Sequence, residues 1–356
     1  MKFGLGLYGN MLNAENFRFA RQAGATHIVA HVVGHFGALT DAAKDERLKG
    51  FGISRPDGEI WTYEGMRDLR KAINAEGLEL EAIENFEPAH WYDVLLDGPR
   101  KREQMERLKR ILRDMGRAGI PVMGYNFSFA GVWGRVKTNA ARGGAETVGF
   151  HDPVQTPIPK GMIWNMVYDP ETFDPQGRNG TVGEITQEQL WARLTEFLRE
   201  MLPVAEEAGV KLALHPDDPP LPSLRGTARL VYQPHIYDRV LDVYDSPMNT
   251  LEFCLGTLSE MSEGDIYEVV DRYSRLRKIA YIHFRNVRGK VPHYDEVFID
   301  EGDMDMIRIL RILHRNGYDG VLIPDHTPAM SCPAPWHAGM AYALGYMRAA
   351  VRMIDD

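Results

Sequence analysis

What most restricts the fold of this chain is a rhythm: short apolar runs alternate with longer amphipathic stretches along almost its whole length. Phe3–Tyr8, His27–Val33, Leu78–Ile83, Ile120–Asn126, Lys211–Leu214, Thr250–Phe253, Ile279–Ile282 and Gly320–Ile323 read as strands. Between and after them, Ala14–Ala23, Tyr63–Ala75, Arg100–Arg117, Gln187–Ala208, Ile266–Arg275, Met304–Arg315 and Gly339–Met353 read as helices, with a short one over Tyr237–Val243. Gly24, Gly77, Gly119, Gly209 and Gly317 stand at or just past helix ends, where a left-handed residue closes the last turn. Repeated βα units imply an α/β protein with a parallel sheet, and this many of them suggest closure into a (β/α)8 TIM barrel. An open doubly wound sheet is the alternative. The GxGxxG of Gly4–Gly9 overlaps the first strand run and none follows it, which weakens its dinucleotide-binding version.

The rhythm breaks once. Residues 127–184 are rich in Gly, Pro, Asn and Asp and read as a long irregular insertion, either a surface excursion or a cover for a site. At 356 residues the chain fits one barrel domain carrying that insertion around 128–184. A net charge of −9 argues against nucleic-acid binding, which needs clustered Lys and Arg, but is compatible with a small anionic substrate. The two cysteines, Cys254 and Cys332, make no disulfide framework and fit a reducing compartment. No apolar run is long enough to span a bilayer, and no secretory h-region opens the chain, so the expectation is a soluble, cytoplasmic protein. Oligomeric state stays open, a homo-oligomer included.

The second half carries the informative pattern. His215, Cys254, His283 and Asp325 each follow a short apolar strand run. In a closed parallel barrel the strands point one way, so these four side chains would meet at the C-terminal mouth, where barrel enzymes place their chemistry. Imidazole, thiolate and carboxylate together suit a first-row divalent ion, and affinity order does not choose among Zn²⁺, Fe²⁺ and Mn²⁺. A single buried His or Cys is more often packing than a ligand; four in phase with four strands point to a metal.

Neighbouring residues add to this. Asp217 and Asp218, in the run Pro216–Pro220, are candidates to orient ligands or to shape a rigid polar turn. Arg285 can grip a substrate carboxylate with a two-pronged fork, or form a salt bridge or cap. His326, directly after Asp325, suits acid–base work near neutral pH.

These segments resemble the mannonate dehydratase family, sugar-acid lyases with a xylose-isomerase-like barrel. The likeness rests on His215-Pro216-Asp217-Asp218-Pro219-Pro220, Phe253-Cys254-Leu255-Gly256-Thr257, His283-Phe284-Arg285-Asn286-Val287, Gly302-Asp303-Met304-Asp305-Met306 and Pro324-Asp325-His326. Earlier pieces agree: Gly58-Glu59-Ile60-Trp61, Gly119-Ile120, Tyr125-Asn126-Phe127, and Trp133 with Arg135. The resemblance implies a metal, usually Mn²⁺, at His215, Cys254, His283 and Asp325. It implies the loss of water from a sugar acid, of the type D-mannonate to 2-keto-3-deoxy-D-gluconate. It also implies a catalytic His326 and substrate contacts at Asn126, Trp133 and Arg135.

The chain also departs from the family pattern. Where the family has Pro-Gly-Tyr after the last strand, this chain has Pro335-Trp336-His337, which puts His337 at the second acid–base position. Tyr342 stands at a family Arg and is carried as a substrate contact, as is Arg285; Val132 replaces an acidic residue before Trp133. The expectation is therefore a hydro-lyase acting on a small sugar-acid-like substrate. A metal-dependent sugar isomerase or epimerase on the same barrel is the alternative, and a non-catalytic metal-holding barrel is a third.

Overall fold

The structure, a computed structural model, describes residues 1–34 and 45–355. Its centre is built from eight strands: β1 (Lys2–Tyr8), β2 (His27–His31), β3 (Glu79–Glu84), β4 (Val122–Tyr125), β5 (Lys211–Leu214), β6 (Asn249–Cys254), β7 (Ile279–His283) and β8 (Val321–Ile323). They pair in chain order, all parallel, and β8 returns to β1 through Lys2↔Val321 and Phe3↔Leu322. That last pairing decides for a closed barrel over an open sheet.

Strand periodicity explains where the polar residues go. Val29, Ala82, Val122, Ala213, Tyr281, Val321 and Ile323 pack together inside the barrel. The side-chain period along a strand is two, so the next inward positions toward the C-terminal end are His31, Glu84, Gly124, His215, His283 and Asp325. One apolar layer thus supports a layer of ionisable groups. Outside the strands, α1 (Ala14–Ala23), α2 (Tyr63–Ala75), α3 (Lys101–Ala118), α4 (Gln187–Ala208), α5 (Ile266–Arg275), α6 (Met306–Arg315) and α7 (Pro335–Asp355) form the outer ring. Leu108, Leu112, Leu194, Leu198, Leu310 and Leu344 are among the side chains they bury against it, each worth roughly 1.5–3 kcal/mol of apolar burial. No described helix is long and apolar enough to cross a membrane.

The structure corrects the expected elements in three places that matter for the site. Strands β6 and β7 run one residue further than the apolar pattern suggests, so Cys254 and His283 close their strands and pair in register. Helix α7 starts at Pro335 rather than near Gly339, because a proline lacking an N–H fits the first turn of a helix.

The insertion is not irregular throughout. Its strands Arg135–Ala141 and Ala145–His151 form an antiparallel hairpin. The second of them pairs with His293–Val297, part of a hairpin with Asn286–Lys290 just after β7. A smaller hairpin, Met162–Ile163 with Met166–Val167, pairs with Gly52–Ile53. Segments after β4 and β7 therefore share one sheet over the barrel mouth.

Candidate metal centre

His215, Cys254 and His283 bring one ligand atom each to within 4.8 Å of one another, all buried. Asp325 joins them: its Oδ2 lies 3.3 Å from His283 Nδ1. Asp325 adopts φ 59°, a left-handed conformation that Asp tolerates better than most residues, and there the chain turns directly after β8.

Each candidate donor is oriented by its neighbours. His215 Nδ1 donates to the carbonyl of Pro216 at 2.5 Å, which fixes the tautomer and leaves Nε2 as the lone-pair nitrogen. His283 Nε2 lies 3.2 Å from both Glu84 Oε2 and Glu252 Oε1. With Nε2 facing carboxylates, His283 Nδ1 is the lone-pair side, and it is a buried nitrogen without a hydrogen-bond partner among the described residues. Cys254 Sγ accepts from the Thr257 hydroxyl at 3.1 Å and the Thr257 amide at 3.5 Å. Burial pushes the Cys254 thiol up, but the Arg285 charge and the two histidines outweigh this and hold it well below its usual value. The set is a thiolate, two oriented imidazoles and a carboxylate, with one orphaned nitrogen aimed among them, and it fits a first-row divalent ion.

Arg285 organises the polar network behind these ligands. It is buried, and its nitrogens reach Asp325 Oδ2 at 3.1 Å, Glu260 Oε1 at 2.8 Å and Asp218 Oδ2 at 2.8 Å. It does not line the cavity at the mouth; its fork meets the protein's own carboxylates, the salt-bridge role that the sequence offers beside a grip on substrate. The acidic pair divides its work. Asp217 accepts from the Leu230 and Val231 amides at 2.8 and 2.9 Å and anchors the turn. Asp218 accepts from Arg285, from Arg135 at 2.8 Å and from the Tyr294 hydroxyl at 2.9 Å. Burial raises the Asp218 carboxyl, yet the two arginines hold it well below the carboxylate range.

A cavity of about 300 Å³ opens above the ligands. Asn126, Arg135 and His326 line it, as expected from sequence. His326 Nδ1 lies 3.0 Å from Glu296 Oε2, and its Nε2 lies 3.5 Å from Asp325 Oδ1. Burial opposes protonation of this ring, but Asp325 and Glu296 outweigh it and raise its pKa.

Three other residues expected at the site do not line this cavity. His337 lies in the first turn of α7, its Nε2 3.0 Å from Asn16 Oδ1 and its ring edge-on to Phe19 at 4.7 Å, and it does not line the cavity. The early start of the helix carries it out against α1. Tyr342, further along α7, packs edge-on to Phe298, with its hydroxyl 3.4 Å from Arg142. Trp133 lies under the Arg225 guanidinium, 5.0 Å from the ring centre, while its neighbour Val132 is the residue lining the cavity.

The cavity also has walls that the sequence reading passed over. Tyr8, His31 and Glu84 are the final residues of β1, β2 and β3, so the strand-end rule that picks out the candidate ligands in the second half applies equally to the first. Trp164 and Asn165 come from the insertion. They form the turn of the small hairpin, with φ 53° and 58°, and no local sequence signal marks a tryptophan for that conformation.

A model of the family D-mannonate dehydratase (UxuA) matches residues 1–350. The chain belongs to the mannonate dehydratase family. A mannonate dehydratase of Streptococcus equi subsp. zooepidemicus is 32% identical over 281 residues, covering 76% of each chain. The crystal structure of mannonate dehydratase from Streptococcus suis serotype 2 superposes with a TM-score of 0.76 at 24% identity, covering 99% of this chain and 93% of that one. A D-psicose 3-epimerase from Clostridium cellulolyticum shares the fold at a TM-score of 0.60 and 12% identity, over 99% of both chains. The family's relatives thus carry the name of a hydro-lyase on a xylose-isomerase-like barrel.

Proposed function

We propose that this protein removes water from a sugar acid, D-mannonate or a close six-carbon relative, to give the 2-keto-3-deoxy acid. Family membership gives the reaction class. The observation that carries the reading to this chain is the His215–Cys254–His283 cluster with Asp325 beside it, lying under a cavity whose wall includes His326. These four residues would hold the cation, Mn²⁺ in the first place, with Fe²⁺ and Zn²⁺ as alternatives the donor set also suits. When bound, such a cation supplies positive charge against which substrate oxygens are held and developing negative charge is stabilised.

The chain's own groups do the rest. Asn126 and Arg135 face the substrate space and offer hydrogen-bond donors to its hydroxyls and carboxylate. Arg135 also holds Asp218 at 2.8 Å and Glu296 at 3.0 Å, so its guanidinium is locked in place. His326, held between Asp325 and Glu296, can deliver a proton to the hydroxyl leaving C3. Val132, Trp164 and Asn165 from the insertion narrow the entrance.

The test is turnover of a panel of six-carbon aldonic acids by protein reconstituted with Mn²⁺, Fe²⁺ or Zn²⁺ in turn. A 2-keto-3-deoxy product from at least one acid is expected. Its absence from all of them, with metal bound, would defeat the reading.

A further inference from the structure

Elimination of water from a sugar acid needs two proton transfers: one group takes the hydrogen from C2, and another protonates the hydroxyl leaving C3. With His337 held against Asn16 and Phe19, the cavity needs another partner for His326. The cavity wall offers one.

His31 closes β2 with its side chain on the inner face of the barrel, and it lines the cavity. Its ring lies against Tyr8, with centroids 4.9 Å apart. Gly6 on β1 makes room for it: a Cβ there would stand 2.8 Å from His31 Nε2. On the other side, His31 Nδ1 is 3.3 Å from Glu84 Oε1. A carboxylate beside Nδ1 places the ring proton there and leaves Nε2 as the lone-pair nitrogen. No hydrogen bond to Nε2 is formed by the described residues, and the ring borders the substrate space. A carboxylate behind one nitrogen, with no hydrogen bond from the described residues at the other, is the arrangement of a general base, in which the carboxylate orients the ring and stabilises the imidazolium that forms.

The other ionisable groups on the wall are already occupied. Asp218 is held by Arg135 and Arg285, and Glu84 by His31, Tyr281 and His283. Tyr8 is buried beside Asp325 and Glu84, all of which favour its neutral phenol and make it a poor base.

We propose that His31, oriented by Glu84, is the base that takes the C2 hydrogen, with Nε2 as the accepting atom. The C2–H electron pair becomes the C2–C3 double bond, and the C3–O bond breaks. The departing hydroxyl leaves as water with a proton from His326, and the enol product becomes the 2-keto-3-deoxy acid by moving a proton from its C2 hydroxyl to C3. His31 then returns its proton to solvent and His326 takes one back from it, so the protons balance and no oxidant or reductant is needed. This inference rests on the dehydratase reading above.

The experiment compares wild type, His31→Ala and His31→Asn, each loaded with Mn²⁺, on the aldonic acid that wild type turns over. Asn keeps a polar group facing Glu84, so a purely structural role for His31 would survive that change. The expected result is a fall in kcat of about 10²–10⁴-fold in both variants, with KM, melting temperature and metal content held. Added imidazole should restore part of the turnover of His31→Ala, and the restored reaction should slow on C2-deuterated substrate. Turnover of His31→Asn within about threefold of wild type would overturn the proposal, the expected loss being at least tenfold larger than that. Rescue without a C2 isotope effect would overturn the assignment to C2. A wild type inactive on every aldonic acid would instead remove the dehydratase reading, and the role of His31 with it.

Discussion

The Arg285 guanidinium meets the Asp218 carboxylate at 2.8 Å, and both side chains are 2% exposed. The same guanidinium reaches Glu260 and Asp325, so one residue links the acidic turn after β5, the helix after Cys254 and the carboxylate expected to bind metal. Its removal would leave several buried carboxylates without a counter-charge. Arg285→Ala is predicted to lower stability by about 3–5 kcal/mol, the usual cost of breaking a buried ion pair on one side, read by urea denaturation. Arg285→Lys should recover only part of this, because a point charge cannot meet three carboxylates at the angles of a planar fork.

Glu84 and Glu252 both lie 3.2 Å from His283 Nε2, and Glu84 is the one within hydrogen-bond geometry of that nitrogen. Glu84→Gln replaces the anion in this contact with a neutral amide. Metal affinity is predicted to fall about 10–100-fold, the range seen when the partner of a ligating histidine is lost. Competition with a chelator of known affinity measures it, and unchanged affinity would show that Glu84 does not act through His283.

His326 and His337 make opposite predictions. His326→Asn is expected to lower kcat by about 10²–10⁴-fold while metal content holds, because the ring borders the cavity beside Asp325. His337→Ala and Tyr342→Phe should each leave kcat within about threefold of wild type, far short of the loss of an acid–base group. Both side chains are engaged with Asn16, Phe19, Arg142 and Phe298 rather than with the cavity. A large loss of kcat in His337→Ala with intact fold would contradict the placement of α7.

Glu87 gives a pH signature away from the metal centre. Burial pushes its carboxyl from 4.5 to about 7, against the opposing hydrogen bonds from Ser54 and Arg55. The folded protein therefore holds this proton more tightly than the unfolded chain. The stability it contributes is fully present below pH 4.5 and is lost as pH rises through about 7. Glu87→Gln removes the titration while keeping an oxygen for the Ser54 hydroxyl. The variant is predicted to match wild type near pH 4.5 and to exceed it by about 3 kcal/mol at pH 8, following the shift at 1.36 kcal/mol per pH unit. A gap that does not grow between those values, in melting curves, would contradict the buried, protonated state of Glu87.

Much of this architecture is readable in the sequence, and the gaps have physical causes. Strand ends locate His215, Cys254, His283 and Asp325 because a barrel converts a period of two and a common strand direction into a shared mouth. The same logic reaches Tyr8, His31 and Glu84, but a lone Tyr, His or Glu after an apolar run stands out less than a Cys–His–Asp series. His337 is misplaced by sequence because Pro335 reads as loop, whereas in the fold it opens α7 and turns the following residues toward α1. Arg285 looks like a substrate clamp until the tertiary fold brings Asp218, Glu260 and Asp325 around it from distant segments. The turn at Trp164–Asn165 depends on the small hairpin and on Gly131, where a Cβ would stand 2.3 Å from the Trp164 ring. Neither relation can be seen along the chain.

The central claim is a cation bound through Cys254 as well as through imidazole and carboxylate. X-ray absorption at the zinc edge of zinc-loaded protein tests it most directly. One sulfur at about 2.3 Å and nitrogen or oxygen neighbours at about 2.0–2.2 Å are predicted, with the sulfur lost in Cys254→Ser. A shell of nitrogen and oxygen alone in the wild-type protein would contradict the claim.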